Sequence, residues 1–265
     1  MWRAFKNYLQ LVAAYARINL NAQLEYRGAF ISEAVAMFIN DGFWVAFWVM
    51  FFSRFPVVEG WSRNDVLMLW AVTAAGFGIA YAVMGNALHL AGVIVNGQLD
   101  LWLLHPREVL SHLLLGRTVA TAWGDVAFGY LVYLIFVRPD FAHIALFILM
   151  TLSTALVFVG FGVMSASLTF YIGNGTMLAE QWRFAMISFA TYPEALFSGV
   201  VKTLLFTMIP AGFVSYVPVH ALRELSLWYA AAAVLGAVLI TATGVAVFYL
   251  GLRRYESGNL ISMNG

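Results

Sequence analysis

Apolar residues run along this chain in long blocks separated by short polar connections. Lipid cannot satisfy backbone polar groups, so a crossing segment must be a helix of about 20 mostly apolar residues. Six segments meet that length, at about 29–53, 66–95, 109–137, 142–171, 183–209 and 226–252, the fifth of them interrupted. Most exceed the minimum, which allows tilt. Residues 2–21 pattern differently. Arg3, Lys6, Asn7, Gln10, Arg17 and Asn21 fall on one helical stripe, with Trp2, Phe5, Leu9, Val12 and Ala16 opposite. That arrangement, with Trp2 and Tyr8 suited to a headgroup boundary, predicts an amphipathic helix lying on the membrane. The expected architecture is an all-α integral membrane protein of six spans. Residues 1–28 form the interfacial helix and its lead-in, and 29–265 form a single membrane domain without internal repeat or linker.

The connections add detail. In SRFPVVEGWSRND, Ser62 with Asp65 three residues on predicts a capping box opening the second span. Between the fifth and sixth spans, about 193–225, Pro193, Pro210 and Pro218 break an apolar stretch into short, partly re-entrant pieces on the outer side. With the amino terminus inside, nine Lys and Arg residues fall on the cytoplasmic side and five outside. This imbalance predicts both termini in the cytoplasm.

Composition sharpens the class. Hydrophobic residues make up 63% of the 265 and charged residues only 10%, against about a quarter charged in soluble domains. Net charge is +1, so no polyanion or nucleic-acid surface is indicated, and the lack of cysteine removes disulfides, thiolate metal sites and thiol nucleophiles. The opening MWRAFKNYLQ lacks the core and cleavage site of a signal peptide, so the first span is expected to do the targeting and the chain to be mature as written.

Few residues carry candidate chemistry. No glycine-rich phosphate-binding loop followed by Lys and Ser or Thr occurs; GVVKT at 199–203 lacks the glycine before Lys202. Any ATP must therefore be handled by another chain. The stretch from Gly97 to Arg107 sets Leu99, Trp102, Leu103 and Pro106 against Asp100, His105 and Arg107. Such a short amphipathic patch fits either a protein groove or a helix end tucked at the interface, and periodicity does not separate the two.

Inside the apolar segments, Glu33 and Asp41 lie eight apart, as do Arg117 and Asp125, so each pair shares a helix face. Charge facing lipid is costly, which turns these faces inward. Glu33 and Arg117 are expected to pair, whereas Asp41 and Asp125 would lie deeper, either lining a pathway or holding spans together. Gly116, Ala120 and Gly124 predict a close-packing seam on the third span. His89, His105 and His112 lack ligand spacing, so no metal is expected.

Several strings also resemble the integral-membrane subunits of ATP-binding cassette transporters of the type-two exporter class. These are Glu25-Tyr26-Arg27, Gly60-Trp61-Ser62-Arg63 with Asp65-Val66-Leu67, Gly97 to Pro106, Tyr192-Pro193, and Ile209 to Pro218, running across most of the chain in the family's order. His105 stands where arginine is expected, and Glu194 follows Pro193 where apolar residues are commoner. The resemblance implies an amino-terminal interfacial helix, short outer helices around Tyr192, Pro193, Glu194, Pro210 and Pro218, and a coupling helix at Leu99–Arg107 docking on a nucleotide-binding subunit. Two permease chains, identical or related, would work with two ATPase chains carrying ATP and Mg, passing an amphipathic or hydrophobic cargo across the bacterial cytoplasmic membrane. The residues leave open an ion- or proton-coupled transporter using Asp41 and Asp125, which would favour an internal repeat and paired broken helices. An intramembrane enzyme built on His89 or His112 lacks a visible nucleophile.

Overall fold

The computed structural model describes residues 10, 12–19, 21, 25, 27–119 and 121–255. Residues 12–19 are helical; Arg3, Lys6 and Trp2 of the amphipathic stripe, and Tyr26 and Ala120, lie outside the described residues. In chain order the helices are α1 (Arg27–Arg54), α2 (Arg63–Val83), α3 (Leu90–Val95), α4 (Leu99–Leu103), α5 (Val109–Leu115) and α6 (Ala122–Val132). There follow α7 (Phe141–Ser167), α8 (Thr169–Ile172), α9 (Thr176–Ala190), α10 (Gly199–Thr207), α11 (Val217–Glu224) and α12 (Leu227–Leu252). A hairpin of β1 (Val57–Val58) and β2 (Trp61–Ser62) joins α1 to α2, turning through Glu59 and Gly60, both at positive φ.

Among the described residues, four helices are long and apolar enough to cross a membrane: Phe30–Arg54, Arg63–Val83, Phe141–Ile172 and Leu227–Leu252. They match the first, fourth and sixth predicted spans closely and the second in part. α2, α6, α7 and α12 pack around the core. Glycine permits the closest crossings. A Cβ at Gly78 would lie 2.6 Å from the Ala122 carbonyl, and one at Gly129 2.5 Å from that of Ala71, so α2 and α6 touch backbone to backbone. Across α7 and α12, Gly160 meets the Thr241 backbone, while the Thr241 hydroxyl donates to the Leu156 carbonyl at 3.0 Å.

The second and third predicted spans are corrected. α2 stops at Val83, and a 3-10 turn at Gly85–Leu88 follows; the predicted span at 109–137 divides into α5, an irregular stretch at 116–119, α6 and a π turn at Tyr133–Val137. The two breaks face each other. Val119 N–H donates to the Tyr81 carbonyl at 2.9 Å, the Asn86 amide donates to the Leu113 carbonyl at 2.8 Å, and a Cβ at Gly85 would stand 2.9 Å from the Arg117 carbonyl. Each break thus satisfies backbone groups that the other frees. The expected Gly116–Gly124 seam is not one helix face: Gly116 receives the Trp102 ring, and Gly124 faces Phe38.

The predicted fifth span also ends early. α9 stops at Ala190, a 3-10 turn spans Glu194–Leu196, and α10 bends by 75° into the segment Gly212–Glu224 around Pro210. Pro218 lies inside the continuous helical segment Gly212–Glu224, directly after a π turn at Gly212–Tyr216, and removes one backbone donor from it. Tyr216 Oη donates to the Phe189 carbonyl at 2.7 Å, and the Thr154 hydroxyl to that of Val214 at 2.8 Å, fixing the broken segment on α9 and α7.

Candidate functional site

The predicted amphipathic patch forms a small platform at one end of the bundle. α4 buries Leu99 fully (0% exposed) and turns Leu101 (64%) and Leu103 (42%) outward, with Leu104 beyond its end at 82%. Its inward side stands on aromatic rings. Trp102 lies edge-on to His112 with ring centres 5.1 Å apart, and Gly116 leaves room for the indole. His105 lies 5.1 Å from the same His112 ring, and its Nδ1 is 2.8 Å from the Leu101 carbonyl. Pro106 and Arg107 are exposed. Glu108 then caps α5, its carboxylate accepting from Leu110 N–H at 3.0 Å and Ser111 N–H at 2.7 Å. At the other edge, Tyr255, just past α12, sits beside Asp100; burial and that carboxylate push the phenol up to about 12.

The interior charges divide. Glu33 and Arg117 are both exposed, and no salt bridge joins them among the described residues. The expected pairing assumed one helix through 109–137, whereas Arg117 falls in the break. Asp125 on α6 is 5% exposed, and its Oδ2 has no hydrogen-bond partner among the described residues. Phe38 and Phe128, three residues from the two acids, meet edge to face at 5.6 Å. α1 and α6 therefore bring two carboxylates towards one apolar interface.

At the opposite end, the capping box forms. The Ser62 N–H and hydroxyl both donate to Asp65 Oδ2, at 2.8 and 2.6 Å. Arg223 donates to the Gly60 carbonyl at 3.1 Å and approaches Asp65 at 3.8 Å, tying α11 to the hairpin. Glu194 contacts His220 Nε2 at 3.1 Å and Lys202 at 3.8 Å. The His220 hydrogen bond is the main cause holding the Glu194 carboxyl below the usual range, against the opposing effect of burial. Tyr192 packs by its ring on Trp44 and Trp48, and Pro193 is buried beside it. His89 and His112 do not converge, and the described residues contain no cluster of three or more His, Cys, Asp or Glu able to hold a metal.

Sequence reasoning missed the Glu108 cap, the Arg223 bridge, and the bond between His112 and Tyr15 taken up below. The first had a local signal, since an acid directly before an apolar run suits a helix start. The other two join residues more than ninety positions apart and leave no local pattern.

Long apolar helices, close glycine crossings and an exposed leucine platform define a multi-pass α-helical membrane protein. A family model described as ABC-2 family transporter protein matches residues 38–258. The chain belongs to the ABC-2 transporter family. No curated protein and no solved structure matches it. Membership makes it a transporter permease, a membrane subunit of a kind that pairs with an ATP-binding subunit and is not itself an enzyme.

Proposed function

We propose that the chain is the permease of an ATP-driven exporter and that Leu99–Arg107 is the coupling segment on which a separate ATP-binding subunit docks. The observation that carries this is the pose of α4: Leu101, Leu103 and Leu104 project from a segment braced underneath by Trp102. Exposed leucines at a helix end fit insertion into a protein groove. In this reading the platform faces the cytoplasm, with both termini on that side of a bacterial cytoplasmic membrane, and the Glu194–Lys202–His220 end faces out. Two permease chains, identical or related, work with two ATP-binding subunits, which supply ATP and Mg. Closure of those subunits pushes the coupling segments and shifts the permease pair between conformations, which requires ATP to favour one state over the other. An apolar interior with few charges favours an amphipathic or hydrophobic cargo such as a lipid, glycolipid, drug or peptide. Asp41 and Asp125 are assigned to the pathway side of α1 and α6.

Co-purification tests the docking assignment. The wild-type permease is expected to bring down its ATP-binding subunit, and Leu103→Asp or Trp102→Ala to release it while the permease stays folded. Full retention by both variants contradicts the assignment.

A further inference from the structure

We infer that Tyr15 and His112 are positioning residues that hold the coupling segment in its docking pose and tie it to the amino-terminal helical segment. This rests on the reading of Leu99–Arg107 as the docking site. α4 has five residues, too few for a helix to be stable by itself in water, so its orientation is set by what lies beneath it. Beneath Trp102 and His105 lies one shared ring. His112 is 4% exposed and is contacted by both Trp102 and His105. Its Nε2 lies 2.7 Å from the Tyr15 hydroxyl, whichever of the two donates, and the two rings are 5.7 Å apart. Nδ1 of the same ring is buried and has no hydrogen-bond partner among the described residues.

Among the described residues the bond to Tyr15 is therefore the one hydrogen bond made by the imidazole, and breaking it leaves both ring nitrogens without a partner there. Phenylalanine would fill the same space beneath Trp102 and His105. What histidine adds is a directed bond to a residue 97 positions away. A push on Trp102 thus reaches residues 12–19 through a single side chain, and a shift of that segment along the membrane surface reaches the coupling segment by the same route.

The test uses the full-length permease in nanodiscs, with and without its ATP-binding subunit. Hydrogen exchange over residues 99–107 is followed in wild type, Tyr15→Phe, His112→Phe, the double variant and His112→Gln, whose amide can replace Nε2. Loss of one hydrogen bond corresponds to about a fivefold change, so each single Phe variant is expected to exchange about five times faster over that segment and to bind the ATP-binding subunit more weakly by a similar factor. The double variant is expected to match the singles, and His112→Gln to return towards wild type. Wild-type exchange in both Phe variants, or effects that multiply in the double variant, overturns the inference. Should Leu103→Asp and Trp102→Ala both leave the ATP-binding subunit bound, the docking reading fails, and the exchange measurement still decides whether Tyr15 and His112 order the segment.

Discussion

Asp65 illustrates how one side chain serves several needs. It receives both donors of Ser62, closing the first turn of α2, and stands near Arg223 of α11. The free N–H groups at a helix start must be satisfied, and losing such a cap costs about 1 kcal/mol. Asp65→Ala is expected to destabilise the protein by about 1–2 kcal/mol, because the Arg223 approach is lost as well. Thermal unfolding in detergent reads this as a lowered midpoint, and an unchanged midpoint contradicts the role. The box was legible because its two residues are three apart. The Tyr15–His112 bond was not, since its partners share no local pattern and His112 by spacing alone resembles any capping histidine.

Among the elements, the breaks matter more than the helices. α1, α7 and α12 could be read from hydropathy, which sums over twenty residues and tolerates a misplaced end. The breaks after Val83 and at 116–119 could not, because each holds only a few polar residues between longer apolar runs. Gly85-Asn86 and Gly116-Arg117 were the available turn signals; what turns them into breaks is a pair of hydrogen bonds between distant residues, Val119 N–H to the Tyr81 carbonyl and the Asn86 side-chain amide to the Leu113 carbonyl. The same break explains why Arg117 does not share the Asp125 face that its spacing suggested. The proline-broken segment was legible, since Pro193, Pro210 and Pro218 each remove a backbone donor. Its brace was not: Glu194 meets His220 of α11 and Lys202 of α10, and His220 stacks on Tyr229 of α12 at 5.2 Å. Because the folded Glu194 carboxyl titrates below its ordinary value of 4.5, its contribution is complete above that value and is lost as pH falls through the folded one. Glu194→Gln is therefore expected to lower the melting temperature at about pH 7, with the gap to wild type closing as pH falls below the ordinary value of 4.5 and through the lower folded one. A gap independent of pH contradicts the ionised brace.

For the whole molecule, burial separates a centre from a rim. Of the most apolar window of α2, 78% is buried within the chain, against 17% for α1. α2 is thus the hub, and α1 offers Phe43, Phe47 and Met50 to whatever surrounds it. Lipid suits such a face, and so does a second permease. The Leu99–Arg107 platform and the Glu194 brace lie at opposite ends of this bundle, with Asp41 and Asp125 between them. Two mutually bonded breaks sit beside that platform.

Reconstitution tests the central claim most directly. The permease is placed in lipid vesicles with a fluorescent lipid cargo, alone or with its ATP-binding subunit, and cargo movement is followed before and after MgATP is added. The account predicts movement only when the subunit and MgATP are both present, and its loss in Leu103→Asp. Cargo moved at the same rate by the permease alone in nucleotide-free vesicles would contradict it.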